Sequence, residues 1–176
     1  KGEVLPHYFA MGVNNSKMCY EPIMEYGKEA MESNRNNQLS KAYEQVVLAI
    51  IVSTALASIY LTAEHTVHYN SGLAHAIFYS MTSYPHIEKK HLHGEVVSYG
   101  VLNLLLVDQN TEDFERVYNF NKSVGLPTCL EDLEFEKSQI DDLAKGAVVM
   151  KDIEHNPYVI TGEMLSEAMR KLEALK

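Results

Sequence analysis

The hydrophobic residues recur at intervals of three and four along most of the chain, the spacing that places them on one face of a helix. No stretch of the sequence shows the sustained alternation of apolar and polar residues that a half-buried strand requires. The pattern predicts an all-α fold, with helices over residues 18–31, 41–65, 73–81, 94–108, 111–125, 140–150 and 161–175.

Capping and helix-breaking residues set the ends of these helices. The predicted N-caps are Ser40, Thr111, Ser138 and Thr161, whose hydroxyls can accept hydrogen bonds from free backbone N–H groups of the first turn. Gly125 is placed to end the helix that begins at 111, and the segment 83–85 is predicted to end the helix over 73–81. Pro22 has to lie in the first turn of its helix or kink it, because it lacks a backbone donor.

The most apolar run, residues 46–61, is predicted to form the centre of the fold. Its 16 residues fall short of the roughly 20 that span a bilayer. Ser53, Thr54 and Ser58 weaken a membrane interpretation further. We therefore expect a helix that is buried on most sides, with a helical bundle built around it.

Composition narrows the class of protein. The 176 residues are 46% hydrophobic, which is enough for the core of one domain over 1–176. A net charge of −9 argues against nucleic acid or an anionic membrane as a partner. Cys19 and Cys129 give no disulfide framework, which favours a cytoplasmic location. The chain begins without Met and without an apolar signal region, so we expect it to be an excised piece of a longer protein.

Histidine is the residue type that points to chemistry. The sequence contains no nucleophile turn, no paired-cysteine zinc motif and no nucleotide-binding glycine fingerprint. Six of its eight histidines fall within residues 65–93, among them His65, His68, His75, His91 and His93. Imidazole is a common ligand of zinc and iron, and a turn between two helices could bring His75 and His93 face to face.

Each of these histidines could instead have a structural or solvent-exposed role without metal binding. A histidine on an apolar helix, such as His75, is more often a hydrogen-bonded core residue than a ligand. Lysines precede His91 and His93 in the sequence, which is compatible with solvated side chains for these two histidines. His65 and His68, three residues apart, are expected at a helix end or on the surface.

Two motifs carry a resemblance to a known family: SGLAHAI at 71–77 and HGEVVSYG at 93–100. Two later segments also resemble it, VGLPT at 124–128 and HNPYVIT at 155–161. With them, the chain resembles the C-terminal, helical, metal-binding domain of the iron-containing alcohol dehydrogenases. The similarity is to the glycerol dehydrogenase branch of the dehydroquinate synthase-like superfamily.

The resemblance implies a set of metal ligands. His75 and His93 correspond to two of them, and the third in the family is an aspartate in a Gly-x-Gly-Asp motif. Asn15 stands in place of that aspartate and Asn14 in place of the preceding glycine. A neutral amide removes the negative charge that helps to hold a divalent cation. Cys19 stands where some members have a fourth ligand, a histidine, although we do not infer a Cys ligand.

The function that the resemblance implies is the metal- and substrate-binding half of an NAD(P)-dependent alcohol or polyol dehydrogenase. The metal, zinc or iron, would polarise the substrate hydroxyl for hydride transfer. The family's N-terminal NAD(P)-binding α/β domain has no counterpart in these residues, so we expect the piece alone to be inactive. Expected partners are a small alcohol or polyol, the chain's own N-terminal domain and, through an exposed face, a second copy.

Two alternatives stay open. The first is a degenerate homologue that has lost its metal and its catalysis, for which Asn15 is the argument. The second is a dehydroquinate synthase-like lyase. That enzyme would need a further histidine and an acidic residue around the first ligand, and Leu73 and Tyr79 supply neither.

Overall fold

The helices of the chain fall into two compact units, one within residues 1–70 and the other within 71–176. The computed structural model describes residues 6–62 and 71–176. The helices are α1 His7–Arg35, α2 Lys41–Leu48, α3 Thr54–Leu61, α4 Leu73–Met81, α5 Pro85–Lys90, α6 His93–Val107, α7 Thr111–Val124, α8 Ile140–Ala147 and α9 Gly162–Glu173. No strand occurs in these described ranges, so the all-α prediction is confirmed. That the two units act as one domain stays a prediction.

The first unit is a helical hairpin. Its first arm, α1, runs for 29 residues and packs against α2 and α3. The predicted start of α1 at residue 18 is wrong by about three turns, because Gly12, Asn14 and Asn15 are weak helix formers that tertiary packing overrides. Of the two alternatives for Pro22, a place in the first turn is wrong, since it lies inside the helix, and a kink there stays a prediction.

The second arm of the hairpin joins α2 to α3 through a π-helical turn, Ala49–Ser53. Together they form a helix of 21 residues, Lys41–Leu61, which is long and apolar enough to cross a membrane by length and composition alone. One such helix is weak evidence for a membrane. The prediction that this helix is buried on most sides is wrong, because Ile51 is 64% exposed and Ile59 is 61% exposed.

The buried central helix lies in the second unit and is α6. It packs against α4, α7 and α9, and its Val96, Tyr99 and Leu102 have no exposed surface. Helices α4 and α9 contribute further fully buried side chains, among them Leu73, Ile77, Met81, Leu165 and Met169. This core explains the apolar pattern of residues 73–81 and 94–108, which bury their side chains against one another.

A glycine lets α4 and α6 approach closely. A Cβ built on Gly100 would lie 2.6 Å from the carbonyl oxygen of Ala74 and 2.8 Å from its Cα. Because both atoms belong to the backbone, a larger residue at position 100 would have to push the helices apart. Ala74 is the neighbour of His75, so this contact sets how close His75 comes to α6.

The helix ends follow the predicted chemistry in part. Ser40 and Thr161 are confirmed as N-caps, accepting from the N–H groups of Tyr43 and Met164. Gly125 ends α7 in the left-handed region at φ 81°. The prediction of Thr111 as an N-cap is wrong by one residue. The N-cap of α7 is Asn110, whose side chain accepts a hydrogen bond from the N–H of Asp113.

One further expectation about helix ends is wrong, and another is confirmed. Ser138 does not cap a helix: it lies in a 3-10 turn, Lys137–Gln139, and its hydroxyl donates to Glu136. The segment 83–85 ends α4 as expected but also begins α5, with Pro85 at its first position, where its missing N–H costs nothing. The predicted extension of the second helix to residue 65 and the histidines His65 and His68 lie outside the described residues.

Candidate metal centre

The two histidines singled out by the sequence lie next to each other in the second unit. His75 is the third residue of α4 and His93 is the first residue of α6. Their ring centroids are 5.5 Å apart and the ring planes are inclined by 42°. The close contact between Ala74 and Gly100 therefore places two imidazoles at one end of the α4–α6 pair.

This separation fits a shared cation. When two imidazole nitrogens bind one tetrahedral metal ion at about 2.1 Å, their ring centroids lie roughly 5–5.5 Å apart. The observed 5.5 Å is at this distance. His75 is half-buried and His93 is exposed, so a cation held between them would remain open to a small molecule from solvent.

An aromatic side chain supports the pair. Phe78, one turn after His75 on α4, packs its ring edge-on against His93 with centroids 4.4 Å apart and planes inclined by 77°. This arrangement is favourable between aromatic rings. Phe78 therefore restricts the orientation of the otherwise exposed His93 ring.

Burial keeps His75 in the form that binds metals. The pKa of His75 lies below its ordinary value, chiefly because burial disfavours the charged imidazolium, and also because His93 is close by. The negative charge of Asp152 acts in the opposite direction. A metal ligand has to be the neutral imidazole, so the lowered pKa extends the range of pH in which His75 can serve.

His91 belongs to a separate place in the second unit. It is half-buried rather than solvated, with its Nδ1 3.7 Å from a carboxylate oxygen of Glu95. It lines a cleft of about 570 Å³ together with Lys90, Lys122 and Asp132. Glu95 accepts a hydrogen bond from the backbone N–H of Leu92 at 2.9 Å and so caps the start of α6.

Asn15 lies on α1, in the first unit. Its side-chain Nδ2 donates to the backbone carbonyl oxygen of Ser53, at the end of the π-helical turn, at 2.6 Å. The side chain is thereby used to hold α1 against the opposite arm of the hairpin. Cys19, one turn later and half-buried, has its Sγ 3.7 Å from the backbone oxygen of Asn15.

No preformed set of three or more metal ligands is present in the described parts of the chain. Within residues 6–62 and 71–176, no three His, Cys, Asp or Glu side chains are grouped closely enough to hold a metal ion together. The ligand set His75, His93 and Asn15 therefore stays a prediction, of which the two histidines form a pair with suitable spacing.

The hydrogen bond of Asn15 leads to a prediction about stability. We expect Asn15→Asp to lower the free energy of unfolding of the first unit by about 1–3 kcal/mol, because a carboxylate cannot donate and would face the Ser53 carbonyl oxygen. The change can be measured by urea denaturation at neutral pH. The matched control is Asn14→Asp, whose Nδ2 donates to the Ala10 oxygen in an exposed position where water can replace it. Equal stability of the Asn15→Asp variant and the wild type would contradict this role.

The chain is similar to curated dehydrogenases over most of its length. It is 31% identical to the glycerol dehydrogenase of Thermotoga maritima over 163 residues, which are 88% of this chain and 42% of that protein. It is 27% identical to hydroxycarboxylate dehydrogenase A of Escherichia coli K12 over 178 residues, covering 99% of this chain and 48% of the relative. The chain thus spans less than half the length of the curated relatives it matches. No family model matches it.

Solved structures show the same fold. The structure of a probable glycerol dehydrogenase from Sinorhizobium meliloti 1021 matches with a TM-score of 0.78 at 24% identity, over 94% of this chain and 46% of that one. Glycerol dehydrogenase from Schizosaccharomyces pombe matches with a TM-score of 0.75 at 21% identity, over 94% and 41%. At these identities the likeness concerns the fold alone. It agrees with the helical architecture expected from the resemblance.

Proposed function

The chain is a relative of the glycerol dehydrogenases over most of its length, and from this premise we propose that it is the metal- and substrate-binding domain of an NAD(P)-dependent alcohol or polyol dehydrogenase. The observation that carries the proposal is the pair of imidazoles from α4 and α6, whose 5.5 Å separation suits one divalent cation. Zinc and iron are the metals that such nitrogen ligands favour.

The residues of this chain would bind the cation and orient the substrate. His75 and His93 would hold the cation, Phe78 would keep the ring of His93 in place, and the exposed side of His93 would leave room for the substrate hydroxyl. When bound, a divalent cation supplies Lewis-acid polarisation of that hydroxyl, and NAD(P), held by another domain of the whole protein, would accept the hydride. The lowered pKa of His75 means that few protons compete with the cation at neutral pH.

The remaining parts of the proposal concern the whole protein. Its substrate would be a small alcohol or polyol, its own N-terminal α/β domain would bind the nucleotide, and it would act in the cytoplasm. The free thiols of Cys19 and Cys129 are compatible with a reducing compartment. Self-association is compatible with the exposed apolar side chains of the helix Lys41–Leu61.

Metal binding by the wild-type chain tests the proposal. We expect the chelator-treated protein to bind one equivalent of Zn²⁺ or Co²⁺ and to become more stable to heat on binding. At a free metal concentration of 100 times Kd, the gain is about 2.7 kcal/mol. Equilibrium dialysis with elemental analysis gives the stoichiometry, and a thermal melt gives the stabilisation. Absence of binding at neutral pH would overturn the proposal.

Asn15 favours a second candidate function, that of a homologue without metal or catalysis. Its side chain is engaged with the Ser53 carbonyl oxygen, so it serves the packing of the hairpin. In this case the fold would serve as a binding or regulatory protein, and the same metal titration would give no bound equivalent. No specific observation favours a dehydroquinate synthase-like lyase.

A further inference from the structure

His93 is the less firmly held of the two imidazoles. His75 lies inside α4, between two buried alanines. His93 is the first residue of α6, and its neighbours in the chain, Leu92 and Gly94, are exposed. Helix ends fray because their terminal backbone groups have no partners within the helix. The separation of the two rings therefore depends on how well the first turn of α6 is held.

The carboxylate of Glu95 caps this turn. Leu92, the residue before α6, has no side-chain oxygen with which to cap the helix. Glu95 instead accepts a hydrogen bond from the backbone N–H of Leu92, with 2.9 Å between its Oε2 and the nitrogen. In this half of a capping box, the third residue of the helix reaches back to the residue before the first. The Nδ1 of the half-buried His91 lies 3.7 Å from the same oxygen.

We propose that Glu95 is a positioning residue of the candidate metal centre: by capping α6 it fixes the place of His93, and with it the separation of His93 from His75. The inference rests on the proposed function, because a cation shared by the two histidines is its premise. Glu95 acts through the backbone and is not a ligand, since side chains two residues apart on a helix do not face each other.

The effect on metal affinity follows from the fraction of molecules in which the first turn of α6 is formed. When only part of the population has the binding geometry, the apparent Kd is the intrinsic Kd divided by that fraction. Loss of a capping hydrogen bond lowers the equilibrium constant for forming a helix end by roughly 2- to 30-fold. The contact of Phe78 with the ring of His93 also requires that the turn be formed, because His93 is its first residue.

The test separates the hydrogen bond of Glu95 from its charge. Glu95→Ala removes both. Glu95→Gln removes the charge and keeps an oxygen that can accept from the N–H of Leu92, since glutamine also serves in capping boxes. The matched control is Asn110→Ala, which removes the side-chain cap of α7, a hydrogen bond of 3.2 Å from the N–H of Asp113. This cap lies beyond the far end of α6 from His93.

Two measurements report the position of His93. Zn²⁺ affinity of each metal-stripped protein is measured by competition with a chromophoric chelator, and circular dichroism without metal verifies that each variant is folded. The NMR signals of the imidazole C–H groups of His93 are compared in the metal-free proteins. The ring of Phe78, with its centroid 4.4 Å from that of His93, shifts these signals away from the values of a solvated histidine.

We expect Glu95→Ala to weaken Zn²⁺ binding by about 3- to 10-fold and Glu95→Gln and Asn110→Ala to stay within about twofold of the wild type. The ring signals of His93 should move toward those of a solvated histidine in Glu95→Ala alone. Unchanged Zn²⁺ affinity in Glu95→Ala, beside a wild type that binds one equivalent, would overturn the role of Glu95.

An equal loss of affinity in Glu95→Gln would also overturn that role, since charge and not position would then set the affinity. An equal loss in Asn110→Ala would do the same, because the effect would be one of general stability. A wild type that binds no Zn²⁺ would overturn the proposed function. Unchanged ring signals in Glu95→Ala would overturn the positioning of His93 whether or not metal binds.

Discussion

Replacement of Gly100 by alanine is expected to destabilise the second unit by about 1–3 kcal/mol. The added Cβ would lie 2.6–3.0 Å from three backbone atoms of Ala74, and neither helix backbone can yield as the end of a side chain could. Alanine favours helix over glycine by about 1 kcal/mol, which is too little to offset the clash. For a protein of this size the midpoint of thermal unfolding should fall by roughly 2–4 °C per kcal/mol.

The same helix offers a matched control for this variant. A Cβ on Gly94, in the first turn of α6, would meet nothing within 4 Å. Gly94→Ala is therefore expected to keep or slightly raise the stability of the unit. If Gly100→Ala melted at the wild-type temperature, the close approach of α4 and α6 would be refuted. Because this contact also sets the distance between His75 and His93, the Gly100 variant should bind metal less well even where it remains folded.

Loss of either histidine is expected to lower metal affinity by about 100-fold or more. Losing a supporting group around a metal typically costs 10–100-fold, and a ligand should cost at least as much. His75→Ala and His93→Ala each leave only one of the two imidazole ligands to bind the cation. Titration of the stripped proteins with Co²⁺, followed by its visible absorption, would report both the affinity and the loss of the nitrogen ligands.

A histidine elsewhere in the second unit provides the comparison. His155 is exposed in the loop that precedes α9, so His155→Ala should bind Co²⁺ as the wild type does. Equal weakening in the His155 variant would mean that binding is spread over surface histidines. In the double variant His75→Ala/His93→Ala the loss should be little larger than in either single variant, because the two residues act on one cation.

Local sequence signals predicted the helix that matters most for the site. The apolar run of α4 is bounded by Gly72 and by the segment 83–85, and its observed range, Leu73–Met81, is the predicted one. The adjacency of His75 and His93 could also be expected from the sequence, through the spacing of the two motifs and their family resemblance. Both predictions, the range of α4 and the adjacency of the two histidines, depend on residues that lie within about 20 positions of each other in the sequence.

The features that were missed depend on contacts between distant segments. Phe78 shares a helix with His75, but its contact with His93 depends on how α4 and α6 pack. The exposure of Ile51 and Ile59 could not be predicted either, since an apolar composition describes equally well a helix buried on all sides and one packed on a single face.

The location of His75 and His93 within residues 71–176 has a consequence for how the chain would respond to metal. Ligand binding stabilises the structure that contains the ligands by RT ln(1 + [M]/Kd), and here both histidines lie in one of the two units. Added cation would therefore raise the free energy of unfolding of that unit. Where the two units unfold in separate steps, the difference between their two unfolding temperatures would report the concentration of free metal, with the hairpin of α1, α2 and α3 as the internal reference.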